Sequence, residues 1–183
     1  MAQLDKNAKF SITRWEDGKR MEPQFPDVTV HLASFSDSDN QMWRVAVTGQ
    51  REVTEAGKKV TVDVVSVQNV GTGQFLAAMD PNAPYQEGLL PLKVRVLDNQ
   101  IDAGTARYRG EGCTEWYLHP TGTPDSYLVI SLALPSSDSS DPEGKVLVPF
   151  APFFTGSPPL VVSKWVDLSA PPAEVIWRFR AWG

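Results

Sequence analysis

Cysteine is the scarcest reactive residue in this chain: Cys113 stands alone among 183 residues. An intrachain disulfide is excluded, and a lone cysteine points to a reducing compartment. Histidine is nearly as rare, with only His31 and His119. A cysteine nucleophile needs a histidine beside it, so Cys113 reads as an ordinary strand or turn residue. So few histidines and cysteines, with no carboxylates clustered at ligand spacing, leave no metal site to expect. No run of Lys and Arg is present and the net charge is −5, which argues against nucleic acid as the main partner. No apolar stretch reaches membrane-spanning length, so membrane insertion is not expected. Met1 to Asn7 lacks the apolar run of a signal peptide. Together these absences lead to the expectation of a soluble cytoplasmic protein.

Catalytic signatures are missing as well. There is no nucleophile elbow and no phosphate loop. Gly71-Thr72-Gly73 is an isolated Gly-x-Gly whose best reading is a hairpin turn. Paired carboxylates such as Glu16-Asp17 sit in polar segments with nothing to perturb them. The expectation is a protein that is not an enzyme and carries no cofactor. A sustained helical period with caps is also absent.

What the chain does contain is short alternating segments punctuated by 15 prolines and 13 glycines, with 42% hydrophobic residues to fill a core. Asp39-Asn40-Gln41-Met42-Trp43-Arg44-Val45-Ala46-Val47 runs from a polar turn into a period-two strand. Trp43, Val45 and Val47 fall on one of its faces. The motif recurs as Thr114-Glu115-Trp116-Tyr117-Leu118 and as Val175-Ile176-Trp177-Arg178-Phe179, one in each third of the chain. Val60 to Val67 is the strongest β signal. Trp15 to Pro23 shows no strand period, and Gly49 to Lys59 reads as a hairpin excursion with its tip at Glu55-Ala56-Gly57-Lys58. Each third reads as strand, loop, strand, strand, loop, Trp strand. The class is all-β, and three four-stranded repeats around a pseudo-threefold barrel make a β-trefoil. We assign 1–183 to a single domain with repeats of roughly 8–60, 61–124 and 125–183.

Asn40-Gln41-x-Trp43 resembles the Gln-x-Trp element of ricin-B-type β-trefoil lectins, although the second and third units lack the glutamine. The runs Glu115-Trp116-Tyr117-Leu118-His119-Pro120 and Asp125-Ser126-Tyr127-Leu128-Val129-Ile130, the pairs Pro158-Pro159 and Pro171-Pro172, and the terminal Trp177-Arg178-Phe179 resemble the mycocypins. These are β-trefoil protease inhibitors of mushrooms, which includes a fungal defence role among the implications. That resemblance implies loops that occlude a protease cleft, a cysteine protease first of all. The matching positions are Trp15, Glu16, Asp17, Gly18, Lys19, Arg20 and Met21 in the first loop, and Ser36 and Asp37 in the next. Trp15 alternatively lids the barrel. Asn69 matches the place of a residue that blocks legumain-type proteases, and it equally suits a structural turn. The lectin resemblance implies a glycan partner instead. The stretch where such lectins place an aspartate carries Ala77 and Ala78, leaving Asp80, Asn82 and Tyr85 for a displaced sugar site. Gln41 is assigned a hydrogen bond inside the barrel under either reading. The sequence does not disclose the oligomeric state.

Overall fold

The computed structural model describes residues 8–24, 29–55, 58–78, 92–102, 112–132, 145–150, 160–165 and 170–182. Within them lie β1 (Lys9–Arg14), β2 (Arg20–Gln24), β3 (Thr29–Ala33), β4 (Trp43–Glu55), β5 (Lys58–Asn69) and β6 (Phe75–Ala78). The second half carries β7 (Leu92–Leu97), β8 (Trp116–Pro120), β9 (Ser126–Ser131), β10 (Lys145–Phe150), β11 (Leu160–Trp165) and β12 (Trp177–Ala181). Single 3-10 turns at Asp39–Gln41 and Ala173–Val175 lead into β4 and β12.

The pairings close two figures. β1, β4, β5, β8, β9 and β12 each pair with the next around a ring, and β12 returns to β1. The hairpins β2–β3, β6–β7 and β10–β11 leave this ring. Their second strands then pair with one another as β3–β7, β7–β11 and β11–β3. A six-stranded barrel with a triangular cap of three hairpins is the β-trefoil, as the recurring tryptophan strand implied. Closing the ring leaves the barrel strands no free edge.

Trp43, Trp116 and Trp177 are all fully buried at the first position of β4, β8 and β12. The indole Nε1–H of Trp43 donates to the Met21 carbonyl of β2 at 2.9 Å, and that of Trp116 to the Leu76 carbonyl of β6 at 2.9 Å. Each ring thus pins the cap strand of its own unit to the barrel. Around them pack Phe10, Ile12, Val45, Val67, Leu128, Ile130 and Phe179.

The first two units also share a turn. Between β1 and β2, the Arg14 amide donates to the Lys19 carbonyl, the Gly18 amide to the Arg14 carbonyl, and the Trp15 amide to the Ile176 carbonyl. Between β5 and β6, Asn69, Gly73 and Val70 make the corresponding bonds to Gln74, Asn69 and Met42. Gly18 and Gly73 hold the same left-handed conformation, at φ +69° and +72°. Glycine adopts this without strain, so the Gly-x-Gly is a turn as read. At Gly71 the reason is space: a Cβ there would lie 2.3 Å from Asn40 Oδ1.

Two sequence expectations change, and one is met. Arg20-Met21-Glu22-Pro23-Gln24 is a strand, with Met21 and Pro23 turned inward and Pro23 opposite Val30. The hairpin read at Gly49 to Lys59 is present: β4 and β5 stay paired to Glu55↔Lys58, with one irregularity between Val47 and Gly49. Val47, expected on the buried face with Trp43 and Val45, is 40% exposed, because β4 has left the barrel there.

The cap contains a titratable cluster. His31 Nε2 lies 3.1 Å from Glu22 Oε1, while Nδ1 is buried without a partner. Burial lowers the His31 pKa, against the pull of Glu22. Above about pH 6.5 the ring is neutral in the folded and unfolded chain alike. Below it, the unfolded chain takes up a proton that the buried ring resists, so stability falls as pH drops towards the folded pKa. In urea titrations, wild type is expected to lose its stability margin over His31→Gln between pH 7.5 and 5.5. An unchanged margin would contradict this.

Candidate functional site

In period-two strands the residues that do not face the core face outward together. On β12 these are Arg178 and Arg180, alternating with buried Trp177 and Phe179. Opposite them on β1 lie Thr13, paired with Arg178, and Ser11, paired with Arg180. Thr13 is also paired with Arg20 on β2. Cross-strand partners share a face, so three arginines from both ends of the chain meet on one outer surface. Ser11 and Thr13 are buried although they stand on this outer face. The arginine stems and the neighbouring rings are placed to cover them.

Three aromatic rings complete the surface. The Arg178 guanidinium lies over Trp15, 3.9 Å from the ring centroid. The Arg20 guanidinium lies over both Phe35, at 4.1 Å, and Trp182, at 4.6 Å. These two rings are 6.4 Å apart and tilted by 32°. Trp182 is positioned by its amide, which donates to the Lys9 carbonyl at 2.8 Å. Phe35 is 66% exposed and Trp15 36%. Arg20 Nη1 is buried without a hydrogen-bond partner. Burial, and then the Arg180 charge, hold the Arg20 pKa below its ordinary value, while Asp37 pulls the other way.

The residues proposed for protease contact divide here. Trp15, Arg20 and, through its charge, Asp37 belong to this surface. Glu16, Asp17 and Gly18 are exposed and Lys19 half-buried in the tight β1–β2 turn. Asp17 is engaged inside that turn: it pairs with Arg14, whose hydrogen bond lowers its pKa, and accepts the Lys19 amide at 3.1 Å. Ser36 is exposed, but its amide is tied to Gln41 Oε1 at 2.9 Å. Two residues must be removed from the contact set. Met21 is fully buried because β2 turns it inward, and Asn69 is fully buried at the end of β5. Asn69 Nδ2 donates to the Asn40 carbonyl at 2.8 Å and its Oδ1 accepts the Thr72 amide at 3.1 Å. It is a structural turn residue that cannot reach a protease. Asp80, Asn82 and Tyr85 lie outside the described residues.

Gln41 makes the internal bonds assigned to it. Its Nε2 donates to Glu22 Oε2 at 2.7 Å and to the Ser34 carbonyl at 2.8 Å. Cys113 is buried, its backbone bridged to Ala78, and burial pushes the thiol pKa up to about 12. That is the setting of an inert thiol. A separate polar groove of about 300 Å³ lies where β4 leaves the barrel, lined by Gln50, Arg51, Ser66, Asp102, Thr114 and Glu115. Its Arg51 and Glu115 are paired at 3.0 Å, and its described walls carry no aromatic ring.

The sequence showed no basic cluster, and along the chain there is none. Folding creates one from Arg20, Arg178 and Arg180. The available signal was Arg178-x-Arg180-x-Trp182, which at strand period places two cations and a ring on the face opposite Trp177 and Phe179.

No protein-family model matches the chain, and no curated protein matches it in sequence. Solved structures do match in fold. A designed threefold-symmetric protein, ThreeFoil, superposes with a TM-score of 0.62 at 15% identity, covering 93% of this chain and 96% of its own. The Macrolepiota procera ricin B-like lectin in complex with lactose superposes with a TM-score of 0.59 at 11% identity, covering 97% of each chain. The Rhizoctonia solani agglutinin reaches 0.57 at 12% identity, over 95% of this chain and 94% of its own. At these identities the likeness establishes the β-trefoil fold and nothing finer. A mycocypin identity has no support at the sequence level.

Proposed function

We propose that this chain is a non-catalytic carbohydrate-binding protein that takes its ligand on the arginine–aromatic face. The observation that carries this reading is Phe35, a ring two-thirds exposed that also touches the Arg20 guanidinium and Trp182. An exposed aromatic face suits the apolar side of a sugar ring, and guanidinium forks beside it suit the hydroxyls at its edge. The fold is also that of a lectin in complex with lactose and of an agglutinin. Protease inhibition by the β1–β2 turn is the competing reading. It retains Trp15, Glu16, Asp17, Gly18 and Lys19 and has lost Met21 and Asn69 to the interior.

The test is a glycan array beside inhibition assays with papain, trypsin, pepsin and legumain. Saccharide binding without inhibition is expected. Phe35→Ala should weaken binding about tenfold, ~1.4 kcal/mol, with the thermal midpoint almost unchanged. Tight papain inhibition with a blank array would replace this reading with cleft occlusion.

A further inference from the structure

We infer that the arginine–aromatic face selects an anionic saccharide, with Arg178 and Arg180 meeting carboxylate or sulfate groups and Phe35 meeting the sugar ring. This rests on the carbohydrate reading and names the ligand class within it.

Arg14 pairs with Asp17, and Arg51 with Glu115 at 3.0 Å, whereas Arg44 and Arg95 stand on β4 and β7 without an ion pair among the described residues. Among the described residues, Arg20, Arg178 and Arg180 form no ion pair. The chain has 22 acidic against 17 basic residues, so carboxylates were not in short supply. The surface instead sets cations side by side. Arg20 and Arg178 are both opposite Thr13, and Arg180 stands two residues along β12 from Arg178, about 7 Å away at strand rise. Like charges so placed repel, and the Arg180 charge disfavours the charged form of Arg20. A bound anion relieves that repulsion. The Arg178 guanidinium, seated over Trp15, has less freedom to lose on making the two-pronged grip on a carboxylate or sulfate.

A neutral sugar leaves this charge unmet, and an acidic peptide leaves the exposed ring of Phe35 without its match. Four probes separate the cases by calorimetry at low ionic strength: trigalacturonic acid, its carboxyl-reduced counterpart, a sulfated galactose oligosaccharide of similar length, and a poly-glutamate peptide. At least one charged saccharide is expected to bind tenfold or more tightly than the neutral one, and which of them does so identifies carboxylate or sulfate as the group read. That preference should shrink with added salt and vanish in the Arg178→Gln/Arg180→Gln double variant, whose thermal midpoint serves as the folding control. Equal affinity for the charged and neutral saccharides would overturn the inference and leave the carbohydrate reading standing. Binding of a poly-glutamate peptide but no saccharide, or of nothing at all, would overturn both.

Discussion

Replacing Trp43 by alanine is expected to remove about 3–5 kcal/mol of stability, much of what a domain of this size has. The ring is fully buried where β4 meets both β1 and β5, opposite Phe10 and Asn69. Its loss leaves a cavity that a closed barrel cannot collapse, since the ring of six strands fixes the circumference. It also strips the Met21 carbonyl of its partner. Trp43→Phe separates the two effects. It keeps much of the volume and loses only the indole donor, so about 1–3 kcal/mol is expected. Trp15→Ala is the control at the surface, where a stacked cation contributes about 0.5–1 kcal/mol. Urea titration of the three variants should therefore rank Trp43→Ala as most damaging, then Trp43→Phe, then Trp15→Ala. A cost below about 1 kcal/mol for Trp43→Ala would mean that Trp43 does not hold the barrel to its cap.

The second large effect is expected at Gln41. This amide is buried among Glu22, the Ser34 carbonyl and the Ser36 amide, and it satisfies all three. Gln41→Leu has nearly the same size and none of the bonds. It leaves a carboxylate and a carbonyl without their donor, at a cost of about 2–3 kcal/mol. Gln41→Glu is more informative. It replaces the donating nitrogen with a second carboxylate beside Glu22, so at pH 7 it should destabilise at least as much as Gln41→Leu. Two carboxylates that close share a proton readily, so the variant should recover part of its loss as the pH falls to about 5, where Gln41→Leu does not. Parallel pH profiles for the two variants would sink the assignment of Gln41 as the donor to Glu22.

These two residues were the easiest part of the molecule to read from its sequence. A large ring at strand period in each third of the chain has few uses other than core, and Gln41 precedes one such ring at a fixed distance. The β2 strand was harder. Arg20, Glu22 and Pro23 mask an alternation in which Met21 and Pro23 point inward, and a proline opposite Val30 in a cap hairpin breaks the usual expectation for a central strand. The β4–β5 hairpin was legible from its turn residues in spite of a weak hydrophobic pattern. Away from the barrel its side chains face water, so the hydrophobic signal fades while the backbone pairing continues to Glu55↔Lys58.

The arginine–aromatic face was the least legible part. Arg20 and Arg180 are separated by most of the chain and become neighbours only because β12 closes the ring on β1. Phe35 and Trp182 look like stray apolar residues until Arg20 is seen against both. Asn69 shows the reverse error. It stood in a plausible loop by residue type, and the fold used its short amide to hold the turn shut.

The shared turn of the first two units bears on how freely their outer surfaces can differ. Arg14 to Lys19 and Asn69 to Gln74 carry the same hydrogen-bond frame, yet one displays a tryptophan and charged side chains while the other displays small and neutral ones. The frame depends on backbone amides, one left-handed glycine and the tryptophan strand beside it, and on little else in the turn. One third can therefore acquire a recognition surface by substitution while the others remain plain scaffold. Each unit's outside is free to differ from the others as long as its inside still closes the barrel.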